Sequence, residues 1–130
     1  MSTPASSARC PCGSGEVFGS CCGPLIGGGA APTAERLMRS RFTAFSIGDA
    51  AYLLSSWHPS TRPAALELEE DVRWLWLEVR ETVAGGPFDR EGVVAFTAVY
   101  RDAGGRGELR ERSRFVRDDR TWAYVDGEIG

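Results

Sequence analysis

The sequence holds no Lys, Asn or Gln, a single His, and no Cys beyond position 22. All fifteen basic residues are therefore Arg, which we read as the coding bias of a GC-rich genome. That bias weakens any claim that a given Arg was selected over Lys for its fork geometry. No apolar run approaches the ~20 residues needed to span a bilayer. Met1 to Arg9 contains no apolar stretch of the kind a secretory leader needs, so the expected setting is cytoplasmic, with no membrane partner. Positive charge is not in excess: eighteen acidic residues against fifteen basic ones give −3, with a pI near 5.2. A generic nucleic-acid coat would be basic. With 42% hydrophobic and 25% charged residues over 130 positions, the chain is an ordinary globular domain with at most a small appendage, not a disordered, collagen-like or coiled-coil chain.

The four cysteines are confined to Cys10-x-Cys12, eight residues, then Cys21-Cys22. In a reducing cytoplasm such a cluster reads as a metal site in preference to a disulfide staple. Four thiolates suit a tetrahedral Zn²⁺, and Gly13, Gly15 and Gly23 permit the turns that wrap a short chain round one ion. A site filled by four protein thiolates has no open position, so the expected cofactor is one structural Zn²⁺ per chain and not a catalytic one. The run Cys10-Pro11-Cys12-Gly13-Ser14-Gly15, five residues, Cys21-Cys22-Gly23 resembles the SEC-C motif, named for its place at the C-terminus of the bacterial preprotein translocase ATPase. The resemblance implies zinc held by Cys10, Cys12, Cys21 and Cys22, and an accessory binding role.

The remaining chain divides into helices and then strands. The expected organisation is a flexible tail at 1–9, the zinc motif at 10–26, a Gly/Ala/Pro linker at 27–32 and an α+β domain at 33–130. Thr33 caps a helix running to Ile47, and Gly48 stops it. At 100° per residue Ala34, Leu37, Met38, Phe42 and Phe45 share a face, Arg36, Arg39 and Ser40 point away, and Arg41 falls inside the apolar arc. Asp49 caps a second short helix through Leu54. Ala64 to Asp71 reads as a helical turn. Alternation then marks strands over Val72–Val83, Gly92–Arg101, Leu109–Arg117 and Trp122–Asp126. In the first, Leu75, Leu77 and Val79 are expected on one face and Trp74, Trp76 and Glu78 on the other, as in a central strand under helices.

Met38-Arg39-Ser40-Arg41-Phe42, Tyr52-Leu53-Leu54, Trp57-His58-Pro59-Ser60-Thr61-Arg62-Pro63, Glu111-Arg112-Ser113-Arg114-Phe115 and Tyr124-Val125-Asp126-Gly127 are similar to the YchJ-type bacterial family. That resemblance implies a fold like nuclear transport factor 2, a cystatin-like cone of helices on a bent antiparallel sheet, with a pocket. The pocket candidates are Arg41, His58, Glu111 and Ser113, with Trp57, Trp76 and Tyr100 as walls. Arg41 and Glu111 read either as an ion pair tying helix to sheet or as a pair holding a small polar ligand. His58 is the starting point for any acid–base chemistry at neutral pH, and equally a helix-end residue beside Trp57. Ser113 has no surrounding nucleophile turn, and no catalytic set is recognisable. Arg110, Arg112 and Arg114 form a basic stripe on the other face, which reads as solvated charge pairs or as an RNA contact. The expected function is thus an interaction module contacting a protein or ribosomal partner through the zinc motif, with the cone as scaffold, dimer contact or ligand pocket. An enzyme acting in that pocket and RNA binding through the stripe are the rivals.

Overall fold

Thr33 adopts an extended backbone and its Oγ1 accepts the Arg36 N–H at 3.1 Å, which starts helix α2 at Ala34–Ile47 in the computed structural model. The structure describes residues 3–130. Gly48 ends α2 in the left-handed region (φ 77°), and Asp49 Oδ1 accepts the Tyr52 N–H at 2.9 Å to start α3, Ala50–Ser55. Upstream, a single 3₁₀ turn at Phe18–Ser20 leads into the short helix α1, Cys22–Ile26. Four strands follow: β1 Arg73–Ala84, β2 Glu91–Asp102, β3 Gly105–Asp118 and β4 Thr121–Ile129. They form one antiparallel meander in the order β1-β2-β3-β4. Helix α2 lies across it, and Leu37, Met38 and Phe42 share a core with Leu77, Val94, Phe96, Ala98, Phe115 and Trp122. Among the described residues no helix is long and apolar enough to cross a membrane.

Several expectations need correction. The first strand is an edge of the sheet, not its centre. A bulge between Trp74 and Trp76 makes Leu75 the extra residue, so Trp74 and Leu77 fall on the core face while Trp76 turns outward, 44% exposed. Strict alternation had put both tryptophans on one face. Residues 64–71 are irregular and not helical. Leu66 and Leu68 recur at the two-residue spacing of an extended chain. Ser40, expected to face water, is fully buried: its hydroxyl donates to Leu37 O at 2.7 Å and meets Tyr52 OH at 2.6 Å beneath α3. The expected free tail is tied down over the segment described, since Phe18 N–H donates to Ala8 O and Gly19 N–H to Ser6 O. Met1 and Ser2 lie outside the described residues. The expected linker is likewise anchored, with Gly28 N–H on Leu25 O, Gly29 N–H on Pro24 O, and Ala31 buried.

The β3–β4 turn carries Asp119 and Arg120 at φ 47° and 69°. Two positive φ values in a two-residue hairpin define a mirror-image turn that favours glycine. A bulky L-residue there is disfavoured by roughly 1–2 kcal/mol. Arg120→Gly is therefore expected to stabilise the protein by about 0.5–1 kcal/mol, after allowing for the freer unfolded chain. Urea unfolding checks this, with Arg120→Ala as the variant that gains nothing.

Candidate metal centre and groove

The segment carrying the cysteines folds back on itself. Cys10 N–H donates to Glu16 O, Arg9 bridges Val17, and Gly13 and Gly15 make the turn at φ 78° and 92°. This places Cys10 and Cys12 on one arm and Cys21 and Cys22 at the start of α1. All four side chains are buried and reduced, and their sulfurs lie within 4.8 Å of one another. Cys12 Sγ is 3.6 Å from Cys21 Sγ, which is 3.9 Å from Cys22 Sγ. A disulfide needs about 2.05 Å. Four sulfurs at ~2.3 Å from one tetrahedral ion stand about 3.8 Å apart along each edge, so the donor set fits such an ion.

Hydroxyl groups lie against the sulfurs. Ser14 Oγ lies 3.1 Å from Cys21 Sγ, and Thr43 Oγ1, fully buried on α2, lies 3.7 Å from Cys10 Sγ. Hydrogen bonds from Cys10 and Cys22 hold the Cys12 thiol far below its ordinary range, while Cys22, the donor to Cys10 and Cys12, is pushed up. Crowded thiols thus give up their protons unequally. Two guanidinium groups from α2 reach the same cluster: Arg36 Nη2 donates to Cys21 O at 3.2 Å, and Arg39 Nη1 donates to Cys12 O at 3.1 Å. Arg39 is also fixed by Glu35, one helical turn back, at 3.0 Å. Four thiolates on a divalent cation would carry a net −2, a charge that the two arginines beside the cluster would offset. Arg36, Arg39, Thr43 and Ser14 were not legible as site residues. The available signal was two arginines three apart on the α2 face read as solvent-exposed.

Of the residues expected to line one pocket, Arg41, Trp57, Glu111 and Ser113 gather round Tyr124, while His58, Trp76 and Tyr100 face other surroundings. Arg41 is 3% exposed, and its Nη1 donates to Leu53 O at 2.8 Å and Ser56 Oγ at 2.6 Å. Its guanidinium stands 4.4 Å from the Tyr124 ring centre and 5.2 Å from that of Trp57. Burial pushes its pKa down to about 10, so it stays charged at neutral pH. The expected ion pair with Glu111 is replaced by a relay. Ser113 Oγ donates to Glu111 Oε2 at 2.5 Å, and Tyr124 OH reaches the same oxygen at 3.4 Å. Tyr124, between the two charges, is pushed up to about 12 by burial and then by the Glu111 charge. Glu111 lies over Gly127, where any Cβ would overlap its carboxylate.

His58 sits apart from this relay. Its Nε2 lies 2.8 Å from Asp118 Oδ2, and its Nδ1 accepts the Ser60 N–H at 3.1 Å. The concave groove of 830 Å³ lies elsewhere, walled by Phe45, Trp74, Tyr100 and Leu109 with Glu67 and Asp102 at its rim. Of the pocket candidates only Tyr100 is there. Trp57 packs edge-on against Tyr124 at 5.1 Å, and Trp76 is on the outer face of the sheet. The Arg110, Arg112 and Arg114 stripe is also on the outer face and is neutralised along its length. Arg112 pairs with Glu81 at 2.5 Å, Arg114 with Asp126 at 2.6 Å, and Arg110 with Glu108 at 3.7 Å.

A cone of helices on a four-stranded meander, with a cysteine hairpin seated on its long helix, defines an NTF2-like domain bearing a SEC-C motif. The family model for the YchJ middle NTF2-like domain matches residues 33–127, and the SEC-C motif matches residues 7–24. The chain belongs to this family, whose bacterial members include the UPF0225 proteins. One from Streptomyces coelicolor is 54% identical over 92% of this chain and 94% of its own length. Another, from Chromobacterium violaceum, is 50% identical over 94% of this chain and 93% of its own. The solution structure of a SEC-C motif containing protein from Rhodopseudomonas palustris matches with a TM-score of 0.81 at 31% identity, covering 92% of this chain and 96% of that one. A crystal structure of a SEC-C motif containing protein from Psychrobacter arcticus matches in fold, with a TM-score of 0.77 at 24% identity over 96% of this chain and 85% of that one.

Proposed function

We propose that the protein is a cytoplasmic interaction module whose cysteine hairpin is folded round one structural Zn²⁺, with no chemistry at the metal. The observation that carries this reading is the set of four buried sulfurs within 4.8 Å of one another, a closed donor set that leaves no position for water or substrate. Zinc is favoured over other ions because four soft thiolates in a tetrahedron suit it, and because a redox-inert ion serves a structural task. Holding the hairpin against Arg36 and Arg39 presents its exposed tip, Ser14 to Val17, as a rigid surface. A protein partner, the ribosome among the candidates, would meet that tip. The cone serves as scaffold. The enzyme reading is weakened because His58 is turned to Asp118, away from the Arg41–Tyr124–Glu111 relay.

Elemental analysis of protein purified without chelators tests the reading. We expect one zinc per chain, and four thiols that react with a disulfide reagent only after chelation. Metal-free protein with four freely reactive thiols and a well-ordered hairpin would overturn it. For the partner, ribosome co-sedimentation that survives Val17→Asp unchanged would remove the tip from the contact.

Ligand capture in the groove is a second reading. Its aromatic walls at Phe45, Trp74 and Tyr100 and its acidic rim favour it. Charge at that rim suits a cationic or neutral guest better than an anionic one.

A further inference from the structure

One end of the outer face of the sheet breaks the pattern of paired charges. Arg73 on β1 stands directly opposite Arg101 on β2, which stands directly opposite Arg106 on β3. Like charges directly opposite one another in a sheet are destabilising. Every other arginine row on this face is relieved by a carboxylate: Arg80 by Glu78, Arg110 by Glu108, Arg112 by Glu81 and Arg114 by Asp126. Among the described residues Arg73, Arg101 and Arg106 form no ion pair and no side-chain hydrogen bond. Asp71 and Asp102 line the same shallow depression. Asp102 Oδ1 is engaged by the Gly104 N–H at 2.9 Å. Three cations against two carboxylates leave the depression positive in a chain whose net charge is −3.

Trp76 completes the depression. It is among the largest exposed apolar side chains, at 44%, and the Arg106 guanidinium lies 5.2 Å from its ring centre. It faces outward only because Leu75 is bulged. Without that extra residue, alternation would carry it to the core face with Trp74. Bulges of this kind re-aim a side chain, and they recur beside functional sites. An exposed indole next to three unpaired guanidinium groups offers a stacking plane and an anion cradle at once.

We propose that this depression binds a nucleotide, with the base stacked on Trp76 and the phosphate held across the Arg73–Arg101–Arg106 row. The row spans two inter-strand spacings, about 10 Å. An acidic peptide would answer the arginines but leave the outward turn of Trp76 without a role, whereas a nucleotide uses both. Base–aromatic stacking is indifferent to base identity, and guanidinium forks suit phosphate oxygens. The nucleotide has two sources, a free mononucleotide or a residue of single-stranded RNA. The paired stripe at Arg110, Arg112 and Arg114 takes no part.

The test titrates full-length, metal-loaded protein with AMP and, separately, with an oligoadenylate of about eight residues, following the Trp76 indole N–H by heteronuclear NMR. Saturable shifts are expected at Trp76 and along the arginine row. Tighter binding of AMP identifies the free nucleotide as the source. Tighter binding of the oligomer, with affinity falling as salt rises from about 50 to 200 mM, identifies a strand. Trp76→Leu and Arg101→Ser are each expected to weaken binding about tenfold or more, while Arg112→Ser leaves it unchanged. Arg101→Ser should also unfold no earlier than the parent, since it relieves a like-charge contact. The proposal is overturned by the absence of saturable shifts with both probes, or by full affinity in Trp76→Leu. It also falls if ribose 5-phosphate or a polyglutamate peptide binds as tightly as AMP.

Discussion

Replacing Cys12 with serine is expected to lower the thermal unfolding midpoint by roughly 10 °C or more, and to do so through the whole protein and not the hairpin alone. The reason is the continuity of the core. Cys12 has no exposed surface, and the cysteine hairpin shares one buried cluster with α2. Phe18 and Leu25 are 6% and 5% exposed, and Ile26 packs against the same cluster, which also contains Leu37 and Met38. Each such side chain contributes about 1.5–3 kcal/mol by its burial. A hairpin of this length cannot fold on its own apolar content, so losing one sulfur releases the whole set. Release would also free Arg36 and Arg39 from the carbonyls of Cys21 and Cys12. Differential scanning calorimetry reads the midpoint. Amide exchange should show protection lost first over residues 10–26 and the exposed face of α2. Val17→Ser, at an exposed position of the same hairpin, should leave the midpoint within about 1 °C. An unchanged midpoint in Cys12→Ser would mean that the cluster does not hold the segment down.

The sequence was most legible where the governing physics is local. Thr33, Gly48 and Asp49 act on backbone groups within four residues, and each cap forms as its chemistry demands. The cysteine spacing is equally local, because a Cys-x-Cys arm, two glycine turns and a vicinal pair leave few ways to arrange four sulfurs. Legibility failed where a distant segment covers a face. Arg36, Arg39 and Ser40 lie on the polar side of α2, yet the hairpin covers the first two and α3 the third. It failed again at Leu75, because a bulge is set by pairing with β2 and leaves no mark in β1 itself. One such shift moved Trp74 into the core beside Phe42, at 6.1 Å, and Trp76 into water. His58 reads as a helix-end residue, but its ring is held by Ser60 and by Asp118, which lies sixty positions away, and not by the end of α3.

Arg41 shows the two sides together. Its place in the apolar arc of α2 announced a buried cation, but not its partners. Two are neutral oxygens on and just beyond α3, and two are aromatic faces. Arg41→Ala is expected to destabilise the protein by about 3 kcal/mol or more. Truncation opens a cavity in a packed interior and leaves the Leu53 carbonyl only its longer bond from Ser56 Oγ, at 3.2 Å. Arg41→Met should lose only about 1 kcal/mol. Methionine fills most of the volume, and removing a buried charge recovers part of its desolvation penalty, the same penalty that lowers the Arg41 pKa to about 10. Arg41→Lys should fall between them: its ammonium keeps the charge but cannot reproduce the flat face presented to Tyr124 at 4.4 Å. The order Ala, then Lys, then Met, from most to least destabilised in urea unfolding, identifies packing as the dominant contribution of this side chain. If methionine proves as damaging as alanine, the hydrogen bonds to Leu53 and Ser56 dominate instead, and Ser56→Ala should then reproduce a substantial share of the loss.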